Sequence, residues 1–210
     1  ELSDSVRLEH GSISIGASET ALNIYLLEHL KKFHIAYPGV RLKICNHSTP
    51  QAIRSVRSGE IDFAVVTTPT QELKLKSFQE ILIGGKTFTS LTTQKFFLKD
   101  LIKYPFICLG LETATYHFYY NLFLSHGIEL IPDTEAATTD QILPLVKNEL
   151  GLAFLPEEMA KEALQRQDIV QISLKDKVPK RHVCMVYDSK RPMSIAAQKL
   201  KKILLEEKKL

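Results

Sequence analysis

Hydrophobic and polar residues follow two different periods along this chain, and the changes of period predict its elements. Apolar and polar residues alternate in residues 11–16 and 40–44, which predicts two half-buried strands. Between them, residues 21–37 carry apolar side chains three and four positions apart, which predicts a helix with Thr20 as its N-cap. Residues 61–66 are almost wholly apolar, which is typical of a strand buried on both faces.

A second helix is predicted between the second and third strands. Thr49 is its predicted N-cap, and Pro50 follows at the first helical position, where the missing N–H group costs nothing. Gly59 is predicted to end this helix in a left-handed turn. Strand, helix, strand, helix and strand thus follow one another within about 55 residues, which is the pattern of a parallel α/β sheet.

The same alternation returns in the second half of the chain. In order, the predicted elements there are a helix at 98–105, a strand at 106–110, a helix at 116–125, a strand at 133–137, a helix at 139–149, a strand at 152–155 and helices at 156–165 and 193–209. Two strand-like passages, 75–89 and 181–188, connect the halves. The predicted fold class is therefore α/β with two lobes, each a mostly parallel sheet flanked by helices, joined by two crossover strands. Lobe 1 comprises residues 1–80 and 189–210, and lobe 2 comprises residues 81–188.

The composition is that of a globular protein and argues against two classes of partner. Among the 210 residues, 44% are hydrophobic and 24% are charged, which is ordinary for a globular domain. The 27 basic and 24 acidic residues give a net charge of +3, too balanced for a nucleic-acid-binding surface. No apolar run approaches the roughly 20 residues that span a bilayer, so no membrane partner is expected.

The cysteines and the first residue bear on the compartment and on the origin of the chain. Cys45, Cys108 and Cys184 lie in apolar, strand-like settings. An odd number of cysteines without metal-binding spacing predicts buried free thiols in a reducing compartment, and therefore a cytoplasmic location.

The chain begins with Glu1 rather than Met, which we interpret as a cut from a longer polypeptide. A preceding domain fits the free thiols better than a removed signal peptide.

Hydroxyl side chains follow nearly every predicted strand at the point where a helix begins. In chain order they are Ser18, Thr20, Ser48, Thr49, Thr67, Thr68, Thr113, Thr115, Thr138 and Thr139. Ligands of open parallel sheets bind at the carboxyl ends of the strands, and helix N-termini attract anions. The pattern predicts a site for a small polar ligand with a carboxylate, sulfate or phosphate group. Each hydroxyl taken singly is explained more simply as a helix cap, so this hypothesis depends on their convergence.

No catalytic or cofactor motif accompanies these hydroxyls. The chain contains no HExxH, GxSxG, P-loop or GxGxxG sequence. Cys45 and His47 share one face of a strand end, but a metal site needs further ligands. We therefore expect no enzyme activity, no cofactor and no metal site.

Four segments of the chain share their order and spacing with a known family. They are "YLLEHLKKFHIAYPGVRLKI", "SGEIDFAVV", "LKDLIKYPFI" and "LPLVKNELGLAFLP". With them, residues 11–205 resemble the effector-binding domain of LysR-type transcriptional regulators. One departure is visible, because the family often has Gly-Leu-Gly where this chain has Glu149, Leu150 and Gly151.

The resemblance implies a two-lobed, periplasmic-binding-protein-like (type 2) fold with a small, polar, anionic effector in the cleft between the lobes. It also implies a winged helix-turn-helix DNA-binding domain ahead of Glu1, so that DNA is bound by that absent domain alone. The domains are expected to form a homodimer, and a tetramer at full length, with Tyr25 and Leu27 facing a partner. The effector contacts that the resemblance implies are Ser18, Thr20, Ser48, Thr49, Thr67, Thr68, Thr138 and Thr139.

Two other functions remain open at this stage. A free-standing solute receptor of a transport system would use the same fold, and a removed signal peptide would explain the missing Met. An enzyme on this fold, such as a dehydratase or a transferase, is the weakest hypothesis. It needs a nucleophile or an acid–base pair, and the hydroxyls have no assigned base.

Overall fold

The structure, a computed structural model, describes residues 10–67 and 73–206. They divide into two compact units. Unit 1 comprises residues 10–66, 73–76 and 183–206, and unit 2 comprises Thr67 and Ser77–His182. Among the described residues, no helix is long and apolar enough to cross a membrane. The lobe boundaries given above, after residues 80 and 188, stay a prediction.

Strands and helices alternate along most of the chain. The strands are β1 (Gly11–Ala17), β2 (Val40–Asn46), β3 (Phe63–Thr67), β4 (Leu73–Phe78), β5 (Glu80–Gly84), β6 (Ile107–Leu109), β7 (Thr134–Ala136), β8 (Ala153–Pro156), β9 (Val170–Ile172) and β10 (Arg181–Val186). The α-helices are α1 (Glu19–Ala21), α2 (Leu27–Ala36), α3 (Thr49–Ser58), α4 (Leu98–Leu101), α5 (Ala114–Ser125), α6 (Ile142–Lys147), α7 (Glu157–Gln165) and α8 (Ile195–Glu206). A π-helical turn, Leu22–Leu26, links α1 to α2, and 3₁₀ helices lie at Lys86–Thr93 and Thr139–Gln141.

A five-stranded sheet in the order β2-β1-β3-β10-β4 forms the centre of unit 1. The strand β1 pairs in parallel with β2 and with β3, so that Ile15 lies opposite Ile44 on one side and Phe63 on the other. Four of the five residues of β3 are apolar and all five are buried, as the sequence pattern of this strand predicts. The strand–helix–strand–helix–strand prediction is confirmed for this unit.

The first helical segment begins two residues earlier than the sequence pattern predicts. Ser18, not Thr20, is the N-cap, because its backbone is extended and its hydroxyl accepts a hydrogen bond from the Ala21 N–H at 3.3 Å. Glu19 in the first turn suits the positive end of the helix dipole. The prediction of Thr20 as cap is therefore wrong, and Thr20 lies inside the helix with 3% of its surface exposed.

The N-cap of α3 is also shifted by one residue. Ser48 is the cap and forms a capping box with Gln51, whose side-chain oxygen accepts from the Ser48 N–H at 2.9 Å. The prediction of Thr49 as cap is wrong, and Pro50 is the second helical residue. Gly59 ends α3 with a φ of 80°, and the predicted left-handed turn is confirmed.

Helix α2 packs against α8 in unit 1. This packing shows that one of the two residues expected to face a partner subunit does not do so. Tyr25 is buried, and its hydroxyl donates to the Leu204 carbonyl at 2.6 Å, so it does not face a partner subunit. Leu27, in contrast, is half exposed at 50%. The two residues differ because Tyr25 lies on the face of the helical segment that α8 covers.

Unit 2 contains a three-stranded sheet in the order β8-β5-β9 and a parallel pair of β6 with β7. The strand β5 runs antiparallel to both β8 and β9, which the sequence pattern does not reveal. The passage 75–89, expected as one strand, divides into the end of β4, all of β5 and the first turn of a 3₁₀ helix. The predicted helix at 139–149 is shorter, because it begins as the 3₁₀ turn and α6 ends at Lys147.

Candidate functional site

The hydroxyls that follow β1 and β2 lie at one edge of the sheet of unit 1. The register places Ala17 beside Asn46, and the N–H of His47 donates to the Ala17 carbonyl at 3.0 Å. Ser18 directly follows β1, and Ser48 lies two residues after the end of β2. Parallel pairing therefore brings two N-caps, and the first turns of two helices, to the same edge.

The four hydroxyls of this edge differ in how much of each a ligand can reach. Ser18 and Ser48 are half-buried, and both cap helices. Thr20 and Thr49 are buried, at 3% and 7% exposure. A ligand of unit 1 would therefore meet the two serines first, while the two threonines support the helix starts.

Thr67 is the last residue of β3 and belongs to unit 2. It is 3% exposed, and its hydroxyl oxygen accepts a hydrogen bond from Arg181 Nη2 at 3.2 Å. The neighbouring expected contact, Thr68, lies outside the described residues. Of this hydroxyl pair, the structure thus describes one member, and it is bound to a buried cation.

The hydroxyls expected near α6 are also in unit 2. Thr138 is half-buried, precedes the 3₁₀ turn and donates its hydroxyl proton to Asp140 Oδ1. A hydroxyl that donates to a carboxylate cannot give the same proton to an anionic ligand, and the charge of Asp140 also disfavours one. Thr139 is buried at 9% exposure. Thr138 is therefore better suited to accept a hydrogen bond from a ligand than to donate one.

A buried ion pair in unit 2 escaped the sequence analysis. Arg181 Nη1 lies 2.7 Å from Glu80 Oε1, and Arg181 Nη2 donates to Thr67 and, at 3.0 Å, to Thr115. The Arg181 guanidinium also lies over the Phe118 ring, 4.9 Å from its centroid. The available signal was one acidic residue at the start of β5 and one basic residue at the start of β10, both followed by mainly apolar residues.

The fold explains why these four residues meet. Arg181 is the first residue of β10, Thr67 is the last residue of β3, and these strands are neighbours in their sheet. Glu80 begins β5, and Thr115 is the second residue of α5. The end of β3, the start of β5 and the start of α5 therefore converge on the guanidinium at the start of β10.

Two further titratable groups close to this pair stay neutral at pH 7. Burial raises the pKa of the Tyr119 phenol well above its usual value, and the charge of Glu80 raises this pKa further. Burial raises the pKa of the Cys108 thiol to about 12. Neither group is an activated nucleophile at neutral pH.

Unit 1 also contains a surface cavity of about 330 Å³. It is lined by His47, Gln51, Arg54, Ser55, Ser58 and Glu60. Two of its polar groups bond to each other, because the Ser55 hydroxyl donates to Glu60 Oε2 at 2.8 Å. Within residues 10–67 and 73–206, no group of three or more His, Cys, Asp or Glu side chains could hold a metal ion.

Two α/β units, with hydroxyls at the carboxyl ends of parallel strands, fit the class of periplasmic-binding-protein-like ligand-binding domains. The chain belongs to the LysR substrate binding domain family, whose model matches residues 7–209. The resemblance seen in the sequence and the predicted fold class are thereby confirmed.

Known proteins agree with this assignment. A probable RuBisCO transcriptional regulator of Nostoc sp. is 25% identical over 220 residues, covering 98% of this chain and 64% of that protein. The effector-binding domain of QuiR in complex with shikimate superposes with a TM-score of 0.82 at 16% identity, covering 95% of this chain and 98% of that one. The Synechocystis PCC6803 CcmR regulatory domain in complex with 2-PG gives a TM-score of 0.82 at 16% identity, covering 93% and 96%.

The chain spans about two thirds of the length of the curated relatives it matches. The matches support an effector-binding domain of a LysR-type transcriptional regulator, rather than a free-standing solute receptor of a transport system. The family and these relatives are regulators, not enzymes.

Proposed function

We propose that the chain senses a small, polar, anionic metabolite and that the whole protein transmits this binding to DNA through a domain outside this chain. Binding occurs without chemical change of the effector. The whole protein is proposed to act in the cytoplasm as a tetramer, in which these domains pair as homodimers. The relatives support this proposal because they are regulators and because related domains bind shikimate or 2-PG.

The observation that carries the proposal is the placement of hydroxyls at the ends of parallel strands. Ser18 and Ser48 follow β1 and β2, which pair in parallel and end side by side. Thr67 ends β3, which also pairs in parallel with β1. Hydroxyls and helix N–H groups stabilise an anion without a free cation, which suits a ligand that must also be released.

The proposed effector contacts are the eight hydroxyls expected from the sequence, and they divide between the units. Unit 1 contributes Ser18, Thr20, Ser48 and Thr49. In unit 2 the described members are Thr67, Thr138 and Thr139. Thr68 stays in the proposal as a prediction from the sequence.

A paired measurement of stability and affinity tests the effector proposal. A metabolite panel containing shikimate and 2-PG is screened against the chain by thermal shift, and each hit is titrated by calorimetry. Ser18→Ala and Thr67→Val should weaken the binding of a hit by about tenfold to a hundredfold, because each removes a donor to a charged group. The proposal fails if these variants melt lower and yet bind every hit as the unmodified chain does.

Gel-shift titration at moderate salt tests whether DNA is recognised by this chain or by the rest of the protein. The balanced charge of +3 offers no basic stripe for the phosphate backbone, so the chain alone should show no sequence-dependent binding. Sequence-dependent binding of a DNA duplex by this chain would refute the proposal that DNA is recognised elsewhere.

A further inference from the structure

The surface cavity of unit 1 follows one side of helix α3. Four of its lining residues, Gln51, Arg54, Ser55 and Ser58, are spaced three and four positions apart, so they share one face of that helix. Ser55 is buried at 8% exposure, whereas the other three are exposed. The cavity therefore has a buried hydroxyl at its base and longer polar side chains at its rim.

Glu60 is brought to this cavity by the turn that ends α3. Its N–H donates to the Ser55 carbonyl at 3.0 Å, and its Oε2 accepts from the Ser55 hydroxyl at 2.8 Å. Two hydrogen bonds to one buried residue hold the carboxylate at the cavity wall. Within residues 10–67 and 73–206, its other oxygen, Oε1, accepts no hydrogen bond.

The cavity contains one cation and one anion that do not neutralise each other. Arg54 and Glu60 both line it, yet neither forms an ion pair with a described residue. A purely anionic ligand would be attracted by Arg54 and repelled by Glu60, and a purely cationic ligand the reverse. A ligand that carries both charges can pair with both side chains through charged hydrogen bonds, which are stronger than neutral ones.

His47, at the opposite end of α3, is a second sign that this face is not organised for stability alone. Its Nδ1 is buried, and no described residue supplies it with a hydrogen bond. A β-carbon on Gly16 would lie 3.0 Å from this nitrogen, so the glycine leaves room for the ring. Buried polar atoms without a partner are uncommon, and each needs an explanation. A ring positioned at the edge of a ligand site supplies one.

We infer that this cavity is a second ligand site and that it binds a small zwitterion such as an amino acid. Arg54 binds the carboxylate of the ligand, and Glu60 accepts from its ammonium group. The volume of about 330 Å³ lies at the lower end of the roughly 300–1,000 Å³ range of small-molecule sites, which suits a small metabolite. The inference goes beyond the proposed function, because none of the eight proposed effector contacts lines this cavity.

Three substitutions on or beside α3 test the two charged contacts. Arg54→Gln removes the cation, and Glu60→Gln removes the anion while keeping an oxygen that can accept from Ser55. Arg57→Gln is the matched control, because Arg57 is an exposed arginine of the same helix that does not line the cavity. Both cavity substitutions change exposed side chains, so the fold should be retained.

The measurement is an NMR titration of the ¹⁵N-labelled chain with L-alanine, and with β-alanine as a zwitterion of wider charge spacing. Propionate and ethylamine each carry one of the two charges of L-alanine. Backbone amides of α3 should shift and saturate with at least one zwitterion, and each single-charge probe should bind at least about tenfold more weakly. Arg54→Gln and Glu60→Gln should each weaken zwitterion binding by about tenfold, and Arg57→Gln should stay within about twofold of the unmodified chain.

The selectivity of the variants identifies which side chain meets which charge. Arg54→Gln should lose the preference for the zwitterion over ethylamine, and Glu60→Gln should lose the preference over propionate. The inference is wrong if no amide of α3 responds to either zwitterion, or if propionate or ethylamine binds the unmodified chain as tightly as they do. It is also wrong if the zwitterions shift amides around Ser18 and leave α3 unchanged, because they would then occupy the proposed effector site.

Discussion

Arg181 Nη1 and Glu80 Oε1 lie 2.7 Å apart, and their side chains are 6% and 0% exposed. Arg181 begins β10 and Glu80 begins β5, so the ion pair joins the starts of two strands that are far apart in sequence. Because both side chains are buried, each charge depends on the other for its stability.

Removing one member of this pair should destabilise the chain strongly. Arg181→Met leaves the Glu80 carboxylate buried and unpaired, and we expect a loss of about 3–5 kcal/mol in the free energy of unfolding. The double variant Arg181→Met with Glu80→Leu removes both charges and should recover most of the loss. Urea unfolding followed by circular dichroism measures all three proteins. If Arg181→Met is as stable as the unmodified chain, the ion pair is not buried in solution.

The three free thiols should react at very different rates. Cys108 and Cys184 are buried at 4% and 0% exposure, whereas Cys45 is half-buried near the end of β2. With its pKa near 12, Cys108 has a thiolate fraction of about one in ten thousand at pH 8. Titration with a chromogenic disulfide should therefore release one equivalent from the native chain and three in denaturant. Fast release of three equivalents from the native chain would show that the thiols of Cys108 and Cys184 are accessible.

The capping box at the start of α3 should contribute measurably to stability. Ser48→Ala removes the hydroxyl of the N-cap residue, a side-chain type that stabilises helix starts. We expect a loss of about 1 kcal/mol in the free energy of unfolding. Ser12→Ala is the matched control, since Ser12 is exposed on β1. Equal stability of the two variants in urea unfolding would show that the cap is dispensable.

The sequence predicted the parallel strands of unit 1 well because each one has a local signature. The buried strand β3 reads as an apolar run, and Gly59 marks the end of α3 through its backbone freedom. The cap positions were harder to predict, because each helix start offers two suitable residues. They are Ser18 and Thr20 at the first helix, and Ser48 and Thr49 at α3. Which hydroxyl reaches the N–H of the first turn depends on the backbone angles, and these are set by the tertiary structure.

The candidate site could be predicted only where it follows from strand ends. The hydroxyls after β1, β2 and β3 were found because ligands bind at the carboxyl ends of parallel strands. The Arg181–Glu80 pair was missed because its members are separated by 101 residues and each reads as a single charge at a strand end. The pairing of β5 with β8 and β9 is antiparallel and long-range, and no local period encodes it.

Self-association should depend on the exposed side of the first helical segment. Leu27 is 50% exposed and Ile35 is 71% exposed, whereas Tyr25 is buried against the chain's own α8. We expect a dimer in sedimentation equilibrium at tens of micromolar, and Leu27→Asp should shift it toward monomer. Asn23→Asp, an exposed polar change on the same segment, should leave the dimer intact. A monomeric chain at these concentrations would contradict the proposed homodimer.

Glu149 occupies a backbone conformation that glycine prefers. Its φ is 66°, in the left-handed region that favours glycine. The Glu149 carboxylate accepts from the Thr87 hydroxyl at 2.5 Å, a contact that both Glu149→Gly and Glu149→Ala remove. The two variants therefore differ mainly in backbone strain, and the glycine variant should be more stable by about 1–2 kcal/mol in urea unfolding.

The neighbouring residue supplies a control with the opposite sign. Asn148 has a φ of −91°, which alanine adopts without strain. Asn148→Gly should therefore be less stable than Asn148→Ala by about 0.5–1 kcal/mol, because glycine gains only unfolded-state entropy there. If glycine is the less stable variant at both positions, Glu149 does not hold the left-handed conformation in solution, and the departure from Gly-Leu-Gly carries no strain.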